Sequence, residues 1–71
     1  GTPHYGTVNI SVPSGASSQH VQIVVSDDNG SRVVYDRSQA GGDNISKSVS
    51  GTGKTRVKVY INNSLVQDQY I

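Results

Sequence analysis

The segment Gly51-Thr52-Gly53-Lys54-Thr55 comes closest, by residue type, to a known chemical motif. Phosphate-binding loops carry Gly, four residues, then Gly-Lys-Ser/Thr, so that backbone N–H groups cradle the phosphates. Here the first glycine of that pattern would fall at Ser48. The loop must also open a helix whose N-terminus meets the phosphates, whereas the alternation after Lys54 predicts a strand. The sequence therefore predicts no nucleotide site.

The histidines His4 and His20 are the next candidates, as metal ligands with Asp43 or the aspartates of segment 27–30. Metal sites combine ligands at short, defined spacing, and these residues lie far apart. Segment 27–30 resembles the start of a calcium loop, which requires a glutamate further along, and the chain contains no glutamate. We predict no metal site and no other cofactor.

The serines are numerous, but none stands out as a nucleophile. A catalytic serine needs a base within reach and an acid that orients the base. The spacing of such residues in the sequence does not mark any one serine as a nucleophile. The chain has no cysteine, which removes thiol nucleophiles, disulfides and thiolate metal ligands. We predict no catalytic residue and a domain that is not an enzyme.

Segment 54–61 carries the best candidates for binding a partner. Polar and apolar residues alternate in it, which predicts a strand with one face on a core and one in water. The water face holds a candidate polymer-binding stripe: Lys54, Arg56, Lys58 and Tyr60. Such a stripe would suit weak, salt-sensitive binding of cell-wall polymer, either teichoic acid or peptidoglycan fragments. Charged side chains are also typical of any solvent-facing strand, where they discourage edge pairing.

The composition indicates one small all-β domain over residues 1–71. Phe, Trp and Met are absent, so the core is aliphatic and rich in β-branched side chains, which favour strands. Helix formers are scarce, whereas Gly, Ser and Asn suit tight turns. The net charge of +1 at pH 7 argues against a nucleic-acid-binding domain, which carries a basic excess. Because no apolar run has the length of a membrane span, a membrane would be reached only through a parent chain.

Alternation and turn residues predict a small antiparallel β-sandwich, immunoglobulin-like, with six to seven short strands. Asn29-Gly30 and Asn62-Asn63 predict hairpins that pair strands two and three and the last two strands; both residues of Asn-Gly accept φ > 0. Lys47, at an inward position, predicts that the fourth strand is an edge strand. The composition of residues 13–18 predicts a loop. The predicted strands are 4–12, 20–26, 32–36, 44–50, 54–61 and 64–71.

The inward positions of these strands form the predicted core. A chain of this length buries only about 60% of its unfolded surface, so we expect modest stability and no room for a large internal ligand. The predicted core residues are Val8, Ile10, Val12, Val21, Ile23, Val25, Val33, Tyr35, Ile45, Val49, Val57, Val59, Ile61, Leu65 and Ile71.

Nearly the whole chain, from about Val8 onward, resembles a known domain. The resemblance rests on two hairpin patterns and the glycines Gly41-Gly42 between them. The patterns are Val21-x-Ile23-x-Val25-x-Asp27-Asp28-x-Gly30-x-Arg32-Val33-Val34-Tyr35-Asp36 and Val49-x-Gly51-x-Gly53-Lys54-x-Arg56-Val57-Lys58-Val59-Tyr60-Ile61 followed by Leu65-Val66. They are similar to the C-terminal immunoglobulin-like domain that follows the PASTA repeats in some Firmicute membrane Ser/Thr protein kinases.

The resemblance implies an extracellular module of a bacterial membrane protein. The parent would combine a cytoplasmic kinase, one membrane span and PASTA repeats, which are associated with cell-wall fragments. The kinase motifs are not found in this chain, so the domain would be a non-enzymatic cap or an added surface for cell-wall sensing. Two alternatives stay open. One is a spacer immunoglobulin-like repeat of a bacterial surface protein or adhesin. The other is a small carbohydrate-binding β-sandwich, which would display exposed aromatic side chains.

Overall fold

The strands form where alternation predicts them. The computed structural model describes residues 2–15 and 18–71. Within these residues the chain forms no helix and six strands in two antiparallel sheets, which confirms the predicted all-β antiparallel sandwich. Of the predicted loop 13–18, residues 16 and 17 lie outside the described residues, as does residue 1 of the predicted domain. The strands are β1 (Pro3–Ser11), β2 (Gln19–Asp27), β3 (Gly30–Gln39), β4 (Asn44–Thr52), β5 (Arg56–Ile61) and β6 (Ser64–Tyr70).

The two sheets are unequal in width. Four strands form one sheet in the order β3-β2-β5-β6, and β1 pairs with β4 in the other. The predicted hairpins β2–β3 and β5–β6 are both present. β2 is the central strand, because it pairs with β3 and β5 and also contacts β4 across the sandwich. β4 has one open edge, as the inward position of Lys47 predicts.

The core lies between the two sheets and consists of β-branched side chains. Alternate residues of β2 and β5 are buried, and their neighbours are half-buried on the outer face. Val34, Tyr35, Ile45 and Ile71 pack against the core from its margins. The buried hydrophobic residues are Val8, Ile10, Val12, Val21, Ile23, Val25, Val49, Val57, Val59 and Ile61.

The prediction that Val33 lies in the core is wrong: its side chain is 53% exposed. β2 and β3 shift register between Ile23 and Val24, so Ile23 faces Tyr35 while Val24 faces Val33. Val34 is the extra residue of this bulge and packs against the core. A one-residue insertion reverses the side-chain parity of everything beyond it, which turns Val33 to the outer face.

A second bulge overturns the predicted burial of Leu65, which is 49% exposed. β5 and β6 shift register between Val59 and Tyr60, so Leu65 pairs with Tyr60 on the outer face. Val66 is the extra residue here and is also exposed. Ile71 packs against the core, as predicted. Beyond the bulge, the odd-numbered residues of β6 pair with inward residues of β5, and Ile71 continues that parity.

The two hairpin turns differ in backbone geometry. In the β5–β6 turn, Asn62 (φ 51°) and Asn63 (φ 67°) both adopt the left-handed conformation, as a two-residue turn of type I′ requires. In the β2–β3 turn, Gly30 (φ 110°) has positive φ but Asn29 does not. The N–H of Asn29 instead donates to Asp27 Oδ1 at 2.9 Å, which is an Asx-type turn.

Side chains from the wider sheet cap both edges of the β1–β4 sheet. On the β1 side, Gln67 Nε2 donates to the carbonyl of Asn9 at 3.0 Å. On the β4 side, Arg32 Nη2 donates to the carbonyl of Ser50 at 2.6 Å. Because unpaired carbonyl groups on an edge invite strand addition from another molecule, these two bonds make such addition less favourable at Asn9 and at Ser50.

The chain enters and leaves the sandwich at the same end. β1 begins opposite the end of β4, with Pro3 facing Thr52. β6 ends opposite the start of β5, and the N–H of Ile71 donates to the carbonyl of Thr55 at 3.1 Å. The molecule measures 42 × 18 × 15 Å, so the opposite end of the long axis lies far from both Pro3 and Ile71.

Candidate functional site

The outer face of the four-stranded sheet carries all four residues of the predicted stripe. Arg56, Lys58 and Tyr60 alternate along β5 with buried residues and therefore point outward. Lys54 precedes β5, and its Nζ lies 4.9 Å from the centre of the Tyr70 ring. Tyr70 faces Arg56 in the β5–β6 pairing, so Lys54 reaches the same face. We call these five residues the cation–tyrosine face.

Arg56 is the best-compensated cation of this face. Its Nε donates to Asp68 Oδ1 at 2.7 Å and its Nη2 to Asp68 Oδ2 at 2.5 Å, a two-pronged ion pair. The hydrogen bonds between the two groups raise the pKa of Arg56 and lower the pKa of Asp68, because each stabilises the charged form of the other. Among the described residues neither Lys54 nor Lys58 forms an ion pair, so they supply the available positive charge.

Tyr70 is the functional candidate that the sequence analysis missed. Its ring lies 4.9 Å from Lys54 Nζ and 5.8 Å from Arg56 Cζ, within the range of cation–π attraction. The residue is nevertheless 56% exposed, so a large part of it remains accessible to a partner. The predicted hairpin places β6 beside β5, but only the bulge at Val66 brings Tyr70 opposite Arg56, so the sequence alone did not identify Tyr70.

The rest of the outer face is less charged. Next to the cation–tyrosine face, Val24 of β2 lies between Val33 of β3 and Lys58 of β5. At the β3 edge, His20 Nε2 contacts Asp36 Oδ1, and the hydrogen bond from this imidazole lowers the pKa of Asp36. Positive charge is thus concentrated on the β5–β6 side of the sheet.

The two histidines, weighed above as metal ligands, lie on different sheets. His4 belongs to β1, where it pairs with Gly51, and His20 belongs to β2. Within residues 2–15 and 18–71 no group of three metal-ligating side chains forms and no pocket opens. In the same part of the chain, no helix is long and apolar enough to cross a membrane.

The segment that resembles a phosphate loop is a packed turn between β4 and β5. The N–H of Thr52 donates to Asp27 Oδ2 at 2.9 Å, and the N–H of Gly53 donates to the carbonyl of Thr2 at 3.1 Å. Gly53 has φ 73°, and Thr55 Oγ1 donates to its carbonyl at 3.0 Å. These backbone N–H groups are engaged inside the fold, and the strand β5 follows where a phosphate loop would open a helix.

The carboxylate of Asp27 organises this end of the sandwich. Its side chain is 2% exposed and accepts the N–H groups of Thr52 and Asn29, each at 2.9 Å. Arg32 adds an ion pair, with Nη1 at 3.2 Å from Oδ2. The hydrogen bond from Thr52 is the largest cause that holds the pKa of Asp27 below its ordinary value, followed by the bond from Asn29; Arg32 adds to them.

Asp27→Asn should weaken the fold at neutral pH and reduce its sensitivity to acid. Because the folded-state pKa is lowered, the carboxylate stabilises the fold above its unfolded pKa of about 3.9 and loses that effect as pH falls through the folded value. The gap in Tm between wild type and variant should therefore shrink below about pH 4. Calorimetry across that range measures the gap, with the exposed neighbour variant Asp28→Asn as a control for charge. A gap that stays constant would contradict the prediction.

Comparison with known proteins assigns no family to this chain. It matches no protein-family profile, no curated protein sequence and no solved structure.

Proposed function

We propose that this chain is a non-enzymatic extracellular module that contacts an anionic polymer of the bacterial cell wall, at the end of a PASTA-type membrane Ser/Thr kinase. The observation that carries the proposal is the cation–tyrosine face, where Lys54 and Lys58 flank the Arg56–Asp68 ion pair beside Tyr60 and Tyr70. A row of cations on a rigid sheet attracts a polymer with repeated negative charge. The tyrosine rings add contact area at a low cost in conformational entropy.

Arg56 and Asp68 have a positioning role in this proposal. The ion pair fixes the guanidinium beside the Tyr70 ring, which holds one side of the face rigid before any ligand arrives. Preorganised groups lose less conformational freedom on binding. The two lysines then supply the contacts to phosphate or carboxylate groups of the polymer.

Removing the two lysines should weaken the binding of teichoic acid or muropeptides. We expect Lys54→Gln/Lys58→Gln to lose about 2- to 30-fold in affinity at low salt, since two exposed ion pairs at about 0.2–1 kcal/mol each contribute about 0.4–2 kcal/mol. Wild-type affinity should also fall as salt is added, because the charges are exposed to solvent. Titration of the isotope-labelled chain, followed by NMR, gives the affinity and the location of the contact.

The matched control removes the same charge elsewhere. Lys47→Gln/Arg37→Gln changes the net charge equally but affects β4 and the β3 edge. If both double variants bind equally well, or if no amide signal of Arg56, Lys58 or Tyr60 shifts with either polymer, the cation–tyrosine face does not bind cell-wall polymer.

The sequence of the flanking coding region separates the kinase assignment from the adhesin alternative. A kinase domain, one membrane span and PASTA repeats on the N-terminal side would support the proposal. Tandem immunoglobulin-like repeats or a sortase signal would replace it with a surface-protein module.

A further inference from the structure

The outer face of the β1–β4 sheet is built differently from the cation–tyrosine face. β1 and β4 pair in antiparallel register, and in four of their outward cross-strand pairs both residues are exposed. None of these side chains is charged. The pairs are Tyr5–Ser50, Thr7–Ser48, Asn9–Ser46 and Ser11–Asn44. We call these residues the hydroxyl face.

The hydroxyl face is rich in exposed hydrogen-bonding groups. Ser11 Oγ donates to Asn44 Oδ1 at 3.2 Å, and among the described residues the other side chains of this face form no hydrogen bond within the protein. Short Ser, Thr and Asn side chains lose little rotamer freedom on binding, in contrast to Lys or Arg. The strands beneath them are held by the edge caps from Gln67 and Arg32.

The uncharged, polar side chains of this face indicate which class of partner it can bind. A charged polymer would find no counter-ion on it, and an apolar protein surface would find one large apolar group, the ring of Tyr5. An added β-strand would pair with the edges of the sheet, where the carbonyls of Asn9 and Ser50 are already bonded, and would not use the side chains of this face. A neutral polysaccharide fits, because its hydroxyl groups can exchange hydrogen bonds with Ser, Thr and Asn while a sugar ring lies on an aromatic ring.

We infer that the hydroxyl face binds a neutral polysaccharide, with Tyr5 as the stacking platform and Thr7, Asn9, Ser46 and Ser48 as hydrogen-bonding groups. Tyr5 is 79% exposed, so the ring is accessible without rearrangement. It lies at the end of the sandwich where the chain enters, and a bound sugar chain would extend from it along the rows of hydroxyl groups. This inference is independent of the cation–tyrosine face, which lies on the opposite side of the sandwich.

The test titrates the isotope-labelled chain separately with chitohexaose, cellohexaose and maltohexaose. We expect at least one of them to shift amide signals of β1 and β4, among them those of Tyr5, Thr7 and Ser48. The affinity should change little with added salt, because no charge is involved. If none of the three sugars shifts these signals at millimolar concentration, or if the shifts fall on β5 and β6, the inference is overturned.

Variants at position 5 test whether the Tyr5 ring contributes to sugar binding by stacking. Tyr5→Ala should weaken binding about tenfold, which corresponds to about 1.4 kcal/mol, whereas Tyr5→Phe should retain most of the affinity because it keeps the ring. Gln69→Ala, an exposed change in β6, should leave the affinity unchanged. Because Tyr5 projects into solvent, these variants should fold normally, and their NMR spectra check this. Equal binding by Tyr5→Ala and wild type would overturn the role of Tyr5.

Discussion

Ile23→Ala is expected to lower the free energy of unfolding by about 2–5 kcal/mol. Ile23 is the largest of the fully buried side chains and lies on the central strand β2, between Tyr35 of β3 and Val59 of β5. Removing it takes away buried apolar area and leaves a cavity that the stiff β-branched neighbours cannot fill.

This loss is large relative to the total free energy of unfolding expected for a domain of this size. Globular proteins are stable by about 0.05–0.15 kcal/mol per residue, so a chain of 71 residues should have about 4–11 kcal/mol in total. Ile23→Ala should therefore remove a large share of the stability and leave a variant that is partly unfolded at 37 °C if the wild type lies at the low end. Urea denaturation followed by circular dichroism measures the change.

Val33→Ala is the control that also tests the bulge. Alternation alone would bury Val33, but in the structure it is half exposed on the outer face beside Val24. We expect its replacement to change stability by less than about 0.5–1 kcal/mol, as for most surface positions. A loss similar to that of Ile23→Ala would mean that Val33 does face the core and that the bulge is misplaced.

These two residues illustrate which parts of the fold could be predicted from the sequence. Alternating β-branched residues in β1, β2 and β5 leave one buried face per strand, so Val8, Ile23 and Val59 were predictable as core. A bulge depends on the pairing of two strands and has no clear mark in either strand alone. The exposure of Val33 and Leu65 therefore could not be derived from local alternation.

The candidate site divides in the same way. Lys54, Arg56 and Lys58 share a face because of strand periodicity, which is local. The ion pair with Asp68 and the ring of Tyr70 come from β6, and their positions depend on the register of the β5–β6 hairpin. The second bulge changes this register within the hairpin. The ion pair by which Asp68 neutralises Arg56 therefore could not be predicted from the sequence.

The turn that resembles a phosphate loop contains a close contact between Gly51 and Thr55. Gly51→Ala is expected to cost about 1–3 kcal/mol, the usual range for overpacking. Gly51 is buried at the end of β4, and a methyl group there would lie 3.0 Å from Thr55 Cβ and closer still to its Oγ1 and Cγ2 atoms. Thr55 is fully buried and cannot turn away into solvent.

The structure also predicts that Thr55→Ala rescues part of this loss. Alone, Thr55→Ala should destabilise by about 1–2 kcal/mol, since it removes a buried methyl group and the hydrogen bond to the Gly53 carbonyl. In the double variant the two closest atoms of Thr55 are gone, so the clash with the new methyl group is largely relieved. The double variant should be more stable than the sum of the single changes predicts, by about 0.5–3 kcal/mol.

Urea denaturation of the wild type, the two single variants and the double variant tests why position 51 requires glycine. Favourable coupling would show that Gly51 is required because Thr55 packs against its backbone, which makes the motif-like spacing a packing requirement of the β4–β5 turn. If the two changes add to within about 0.3–0.5 kcal/mol, Thr55 does not occupy the space above Gly51. The contact between these residues would then be wrong, and the turn that orients Lys54 toward the cation–tyrosine face would have a different geometry.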